Sequence, residues 1–266
     1  MKSKLRLINW ILVTQYGLDV RKAIKGLLLS PRYISDLIFF RNNFSGEIVV
    51  KPCLHDRTDE AGRTKSDYFL QDLIVAREIY EVNPIKHVDI GSRIDGFVAH
   101  VASYRECEVF DIRSISTSIP GIKFMQADLM SDQLTKVYGE HEYCDSLSCL
   151  HAIEHFGLGR YGDSLSVNGF EYGLSNISKL IAPGGTMYLS TPVGRERVEF
   201  NANWIFNPHR IVNYCESLGL TVKKILTLDG SGVITEVAPS KESYDILSAR
   251  EYTLGIFIFK KLVMSK

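Results

Sequence analysis

The stretch Lys86–Asp128, KHVDIGSRIDGFVAHVASYRECEVFDIRSISTSIPGIKFMQAD, constrains this chain more than any other. A short apolar run, Val88–Ile90, carries an acid at Asp89 and breaks at Gly91. A second glycine, Gly96, opens a segment that places Phe97, Val98, Val101 and Tyr104 on one helical face. A second apolar run, Val109–Phe110, ends in Asp111. Strand, tight turn, helix, and strand with a terminal acid predict a nucleotide-binding βαβ unit. Gly91 and Asp111 are separated by about the twenty residues expected between a turn glycine and a ribose-binding acid.

The turn narrows the ligand. A dinucleotide needs GxGxxG, whose middle glycine lets the backbone approach a pyrophosphate. Here the turn reads GSRIDG, with Arg93 and Asp95 where backbone exposure is usual, which counts against NAD or FAD. No Gly-Lys-Ser/Thr follows, so it is no P-loop. A ligand with an adenosine but no phosphates suits this turn, and S-adenosylmethionine is one. Its ribose diol would use Asp111; its amino-acid end would use Asp89 and the Gly91 turn.

The rest of the chain alternates in the same way. Ile122–Gln126 predicts a third strand followed by Asp128, an acid placed to accept from an adenine amino group. Tyr143–Leu150 reads as a fourth strand and Val167–Ile181 as a helix. Pro183-Gly184-Gly185 turns into a fifth strand, Thr186–Ser190. Pro208–Leu218 reads as a helix, with Thr221–Leu228 and Tyr252–Lys260 as closing strands around a weaker helical pattern, Lys241–Ala249. Such alternation implies a parallel sheet with helices on both faces, and the last two strands an antiparallel edge.

From about Tyr68 to Phe259 the chain resembles the class I S-adenosylmethionine-dependent methyltransferases. The carrying segments are VDIGSRIDG, VFDIR, QADL, CDSLSCLHAIEHF and LIAPGGTMYLSTP. The resemblance implies an α/β, Rossmann-like, seven-stranded sheet of order 3-2-1-4-5-7-6 with strand 7 antiparallel. It implies S-adenosylmethionine as cofactor, held by Asp89, Gly91, Ser92, Arg93, Gly96, Asp111, Ile112, Asp128 and Leu129. More narrowly, VDIGSRIDGFVAH with HAIEHFGLGRYGD resembles a bacterial family of uncharacterised methyltransferase-like proteins associated with surface polysaccharide synthesis, which implies a sugar or polysaccharide-type acceptor.

Ligands of open α/β sheets lie beyond the carboxyl ends of the strands. Strand 4 runs into Cys149-Leu150-His151-Ala152-Ile153-Glu154-His155, which sets two histidines beside the expected methyl donor. A sugar hydroxyl is a poor nucleophile, so a base that titrates near neutrality helps remove its proton. His155 or His151 is the expected base, with Glu154 orienting it. HAIEH also fits the inverted zinc-peptidase signature H-x-x-E-H, which needs a helix to aim both histidines at one metal. Coming straight off a strand, it is expected to hold no resident metal; a divalent ion on His151, Glu154 and Asp163 is the weaker alternative. The glycine-rich Gly157–Gly169 brings Arg160, Tyr161 and Asp163 over the acceptor side. After strand 5, Arg195, Arg197, Trp204 and His209 are expected acceptor contacts. A non-catalytic binding protein of the same fold is the rival reading.

Residues 1–50 are expected to form a helical extension and 51–266 the methyltransferase-like domain. The apolar run Leu5–Val13 is too short to span a bilayer. Leu18–Leu29 and Tyr33–Phe40 read as two short helices split at Ser30-Pro31. Up to Arg41 there are eight Lys/Arg against two acids, in a chain whose 31 basic and 31 acidic residues balance. A zero net charge gives no field for nucleic acid. The basic helices are expected either to cap the main domain or to touch a membrane surface or a partner protein. The loop Asp56–Asp67 is a candidate lid, and Tyr68–Tyr80 a helix. Five scattered cysteines without a CxxC pair imply reduced, mostly buried thiols and a cytoplasmic protein.

Overall fold

The computed structural model describes residues 2–62, 64, 66–132, 136, 138 and 142–263. Arg63 and Lys65 of the expected loop lie outside the described residues. The chain divides into two compact units, 1–63 and 64–266.

The first unit holds two helices, α1 (Lys2–Tyr16) and α2 (Val20–Asn43). Gly17, at φ 68°, makes the turn between them, and Asp19 caps α2 by accepting from the Lys22 N–H. The break expected at Ser30-Pro31 does not occur: α2 runs through Pro31. Pro31 removes one hydrogen bond, to the Leu27 carbonyl, and on an exposed helix water can satisfy that carbonyl. The loop after α2 contains a single 3₁₀ turn, Asp56–Thr58.

The second unit is built on a sheet whose strands are β1 (His87–Ile90), β2 (Cys107–Asp111), β3 (Ile122–Gln126), β4 (Cys144–Leu150), β5 (Ile181–Val193), β8 (Leu220–Leu228), β9 (Ile234–Val237) and β10 (Thr253–Lys261). Their order is β3-β2-β1-β4-β5-β10-β8-β9. The first five are mutually parallel, and β10 is antiparallel to both neighbours. This is the expected 3-2-1-4-5-7-6 arrangement, with the closing strands as β8 and β10. It has eight strands rather than seven, because β9 adds an antiparallel edge. A separate hairpin, β6 (Arg197–Glu199) with β7 (Asn203–Ile205), follows β5.

Period-two alternation sorts the strand side chains to two faces. Val88, Ile90, Phe110, Leu147, Met187, Leu189, Phe257 and Phe259 face one way. They meet α5 (Gly169–Leu180), through Phe170, Leu174 and Ile177, and α6 (Pro208–Ser217), through Ile211 and Val212. Val109, Tyr188, Leu254 and Ile256 face the other way, against α3 (Asp67–Val82) and α4 (Ala99–Ala102). α7 (Lys241–Ser248) adds Tyr244 to the first face. Pro183-Gly184-Gly185 is an outward excursion within β5: Ile181 pairs with Cys144, and pairing resumes at Thr186 with Ser146. All five cysteines are free; four are buried, and Cys53 is exposed.

Candidate active site

A cavity of about 500 Å³ opens at the carboxyl ends of β1, β2, β3 and β4. Ten sequence-predicted residues line it around the cofactor and acceptor expectations: Gly91, Ser92, Arg93, Asp111, Ile112, Asp128, Leu129, Arg160, Tyr161 and Asp163. His151 and His155 line it as well. A second cavity of about 310 Å³ is lined by Asp67, Tyr68, His151, Glu154, His155, Arg160, Pro192, Asn203 and Tyr252. Tyr68, His151, His155 and Arg160 line both, and so form the wall between them.

The turn after β1 fixes the floor of the larger cavity. Gly91 has φ 69°, and a Cβ there would sit 3.0 Å from the Ala152 Cβ, so glycine meets both demands. Its N–H donates to the Phe110 carbonyl at 2.8 Å. Asp89 does not line the cavity. Fully buried, it accepts from the Ser92 N–H (3.0 Å), the Ser92 hydroxyl (2.6 Å) and the Ser148 hydroxyl (2.5 Å). Burial pushes its carboxyl up to about 7, against the pull of these donors. The acid expected at the cofactor's amino-acid end therefore ties β1, its turn and β4 together from behind. Gly96 also stands back, where a Cβ would come within 2.8 Å of the Asp72 carboxylate. Asp72 and Gln71, on α3, reach the cavity. Burial raises the Asp72 carboxyl above its ordinary range, partly offset by a hydrogen bond from Gln71.

Asp111 stands at the end of β2 as expected, but it has a partner. The Arg113 guanidinium donates to both carboxylate oxygens, at 2.9 and 2.6 Å, and the Arg113 N–H adds a third bond at 2.8 Å. The guanidinium also lies 4.6 Å from the centre of the Tyr161 ring. Arg93 pairs with Asp95 through two bonds of 3.1 and 2.8 Å and leans toward Tyr68, 6.0 Å from its ring centre. Asp128 accepts from the Met130 N–H at 2.8 Å. Phe110, Ile112, Phe124, Leu129 and Met130 supply the cavity's apolar walls.

His151 leaves β4 with φ 50°, an uncommon conformation for a side-chain-bearing residue. Its N–H donates to the Ser190 carbonyl and hydroxyl, both at 3.1 Å, and its ring packs on Tyr68 at 4.5 Å. Nδ1 lies 2.7 Å from Glu154 Oε1. Burial of Glu154 opposes its charge, but the adjacent His151, by charge and hydrogen bond, holds its carboxyl below the ordinary value. An ionised carboxylate only accepts, so Nδ1 carries the proton. Nε2 of His151 and Oε2 of Glu154 are buried without a partner. His155 donates from Nδ1 to the Ala202 carbonyl at 2.7 Å, and its Nε2 lies 3.9 Å from Glu154. Burial lowers the His155 pKa and favours the neutral ring, although Glu154 pulls the other way. Asp163 turns inward and accepts from the N–H groups of Gly157, Gly159 and Tyr161, which shapes the glycine-rich loop.

The segment HAIEH is a strand end followed by a single 3₁₀ turn, Ile153–His155, not the helix that the zinc-peptidase signature needs. Among the described residues no three His, Cys, Asp or Glu side chains converge closely enough to hold a metal. Arg195 and Trp204 line neither cavity. Arg195 pairs with Glu251 at the surface. Trp204, on β7, stacks on Phe206 and beneath Arg210. His209 bonds Asp245 instead. Tyr68, Asp72, Arg113 and Tyr252 were not anticipated as site residues, whereas Asp67 ends the candidate lid loop and Asn203 lies in the segment after strand 5 expected to meet the acceptor. The polar positions of α3 carried the one usable signal, since Asp67, Gln71 and Asp72 cluster in the first half of the helix that precedes β1, and Gln71 and Asp72 are buried there.

The sheet order, the antiparallel β10 and the cavity at the strand ends define a Rossmann-like methyltransferase fold. A family model described as a Caenorhabditis protein of unknown function, DUF268, matches residues 115–219. No curated protein matches the chain. Similar solved structures include the 1,6-didemethyltoxoflavin-N1-methyltransferase of Burkholderia thailandensis with bound 1,6-didemethyltoxoflavin and S-adenosylhomocysteine. It is 11% identical, with 74% of this chain and 80% of that one covered and a TM-score of 0.49. The N-methyltransferase NodS of Bradyrhizobium japonicum, with S-adenosylhomocysteine, is 11% identical over 77% of this chain and 93% of its own, with a TM-score of 0.49. A TehB-like SAM-dependent methyltransferase of Corynebacterium glutamicum is 15% identical over 87% and 97%, with a TM-score of 0.47. None of these three speaks of surface polysaccharides.

Proposed function

We propose that this chain is an S-adenosylmethionine-dependent methyltransferase that methylates a hydroxyl of a sugar or polysaccharide precursor. The observation that carries this reading is the Glu154–His151 pair in the wall shared by the two cavities. The larger cavity suits the cofactor: a Gly91 turn without the middle glycine of a pyrophosphate site, acids at the end of β2 and just past β3, and apolar walls between them. S-adenosylmethionine, when bound, supplies a methyl group on a positively charged sulfur. Asp111 would hold the ribose diol once Arg113 releases it, and Asp128 with Leu129 the adenine edge. The smaller cavity would take the acceptor. Asp67 and Asn203 offer hydrogen bonds there, and Tyr68 and Tyr252 offer the aromatic faces against which hydroxylated rings pack.

His151 is the base in this scheme. Glu154 fixes its tautomer by accepting from Nδ1, which leaves Nε2 as the lone-pair nitrogen. Nε2 of His151 would take the proton of the acceptor hydroxyl as that oxygen is methylated. The imidazolium that results lies against the Glu154 carboxylate, which stabilises it. His155, neutral and tethered to Ala202, lines the acceptor side and shapes it.

Calorimetry with S-adenosylmethionine and transfer of a labelled methyl to a panel of sugars test this. His151→Ala is expected to keep cofactor binding and to lose transfer by about 10²–10⁴-fold. Unchanged turnover in His151→Ala would overturn the base assignment. One observation favours a second reading, a non-catalytic binding protein: Arg113 already occupies Asp111. Absence of cofactor heat in the same calorimetry would favour it.

A further inference from the structure

The first unit carries a surface that its own fold does not use. Along the 24 residues of α2 only Gly26 is buried. Val20, Ile24, Leu27, Pro31, Ile34 and Ile38 recur at intervals of four and three, which puts them on one face about 27 Å long. That face is open: Val20 is 56% exposed, and Leu27, with Leu28 beside it, 75%. α1 also exposes apolar side chains, Leu7, Ile8 and Trp10, the last 53% exposed. A surface of this size normally marks a partner.

We propose that α1 and α2 lie flat in the interface of an anionic lipid membrane. Charge decides among the possible occupants. Residues 2–43 contain eight Lys/Arg and only two acids, Asp19 and Asp36, an excess of six. At about 100° per residue, Arg21, Lys25 and Arg32 fall on one flank of the α2 stripe and Arg41 on the other, where their stems can lie along lipid while the charged heads reach phosphates. Lys25 pairs with Asp59 and Arg32 with Asp36, both at exposed positions where such pairs are weak. A second copy of this chain would bring like charge against like charge. A protein interface of this kind depletes charge at its core but does not call for a one-signed border. Trp10 suits the headgroup level. No helix among the described residues is long and apolar enough to cross a membrane, so the contact is in-plane.

The test is sedimentation of the full-length protein with phosphatidylcholine vesicles, plain or containing phosphatidylglycerol. Binding is expected only with phosphatidylglycerol, weakened by high salt, and reduced by at least about tenfold in Arg21→Glu/Arg32→Glu and in Leu27→Glu/Ile34→Glu. Circular dichroism and the thermal transition check that each variant folds. In a Trp204→Phe background Trp10 is the sole tryptophan, and its emission is expected to shift to the blue with anionic vesicles alone. Absence of binding to anionic vesicles overturns the proposal, as does equal binding to both vesicles. So does an oligomer in solution that Leu27→Glu/Ile34→Glu dissolves while vesicles leave Trp10 emission unchanged; the occupant is then a second copy.

Discussion

β1 and β4 lie side by side and leave the sheet in the same way, each through a residue with left-handed backbone: Gly91 at φ 69° and His151 at φ 50°. At Gly91 the neighbours dictate the residue, because the Ala152 Cβ closes the space a side chain would need. At His151 the side chain is retained although its backbone conformation disfavours one by about 1 kcal/mol. Under the proposed function, that strain is tolerated because it keeps a carboxylate-paired ring in place. The two turns are also tied together. Asp89 and Ser92 of the first bind Ser148 and the Leu150 N–H at the root of the second.

That tie gives the largest expected effect. The folded-state pKa of Asp89, about 7, lies above the ordinary 3.8. Between those values the unfolded chain releases a proton that the folded chain keeps, so folding stability falls as pH rises through this window and levels off above it. Asp89→Asn removes the dependence. In urea titrations from acid to neutral pH the gap between wild type and variant is expected to shift by up to about 4 kcal/mol. A constant gap would mean that Asp89 does not hold the turns in its protonated form. Next in size, Gly91→Ala is expected to lower stability by about 1–2 kcal/mol. By pushing Ala152, it is also expected to displace His151 and slow transfer. Full activity there would separate the two turns. Smallest is the difference between His151→Gly and His151→Ala. Both lose the ring, so the glycine variant is expected to be the more stable by about 1 kcal/mol, purely through backbone strain. Equal stabilities would remove strain from the account of His151.

Much of this architecture was readable from local chemistry. Asp111 ends β2 and Asp128 follows β3 as the acids after apolar runs imply, and Pro183-Gly184-Gly185 marks the approach to the paired part of β5. Direction was harder to read. Asp89 lies on a four-residue strand buried on both faces, where alternation cannot tell a cavity wall from a core position. Arg195 and Trp204 were expected to face the acceptor because they follow strand 5. β5 instead runs on to Val193, and the β6–β7 hairpin folds Trp204 back onto Phe170 and Phe206. Tyr68 and Asp72 were hidden in a helix read only for its apolar side. Arg113 was invisible as a partner because nothing in VFDIR says which way its arginine bends.

That bend has a thermodynamic consequence. Any diol that takes Asp111 must displace a competitor tethered two residues away, whose effective concentration never changes. The observed affinity is then an exchange: hydroxyl-to-carboxylate bonds gained, one charge-assisted fork lost. The Arg113 side chain is nearly half exposed, so dissolved salt screens the fork more than it weakens the neutral hydroxyls that replace it. Added salt therefore tightens a neutral diol's hold on this carboxylate, the reverse of what an acid that simply attracts a cation would show.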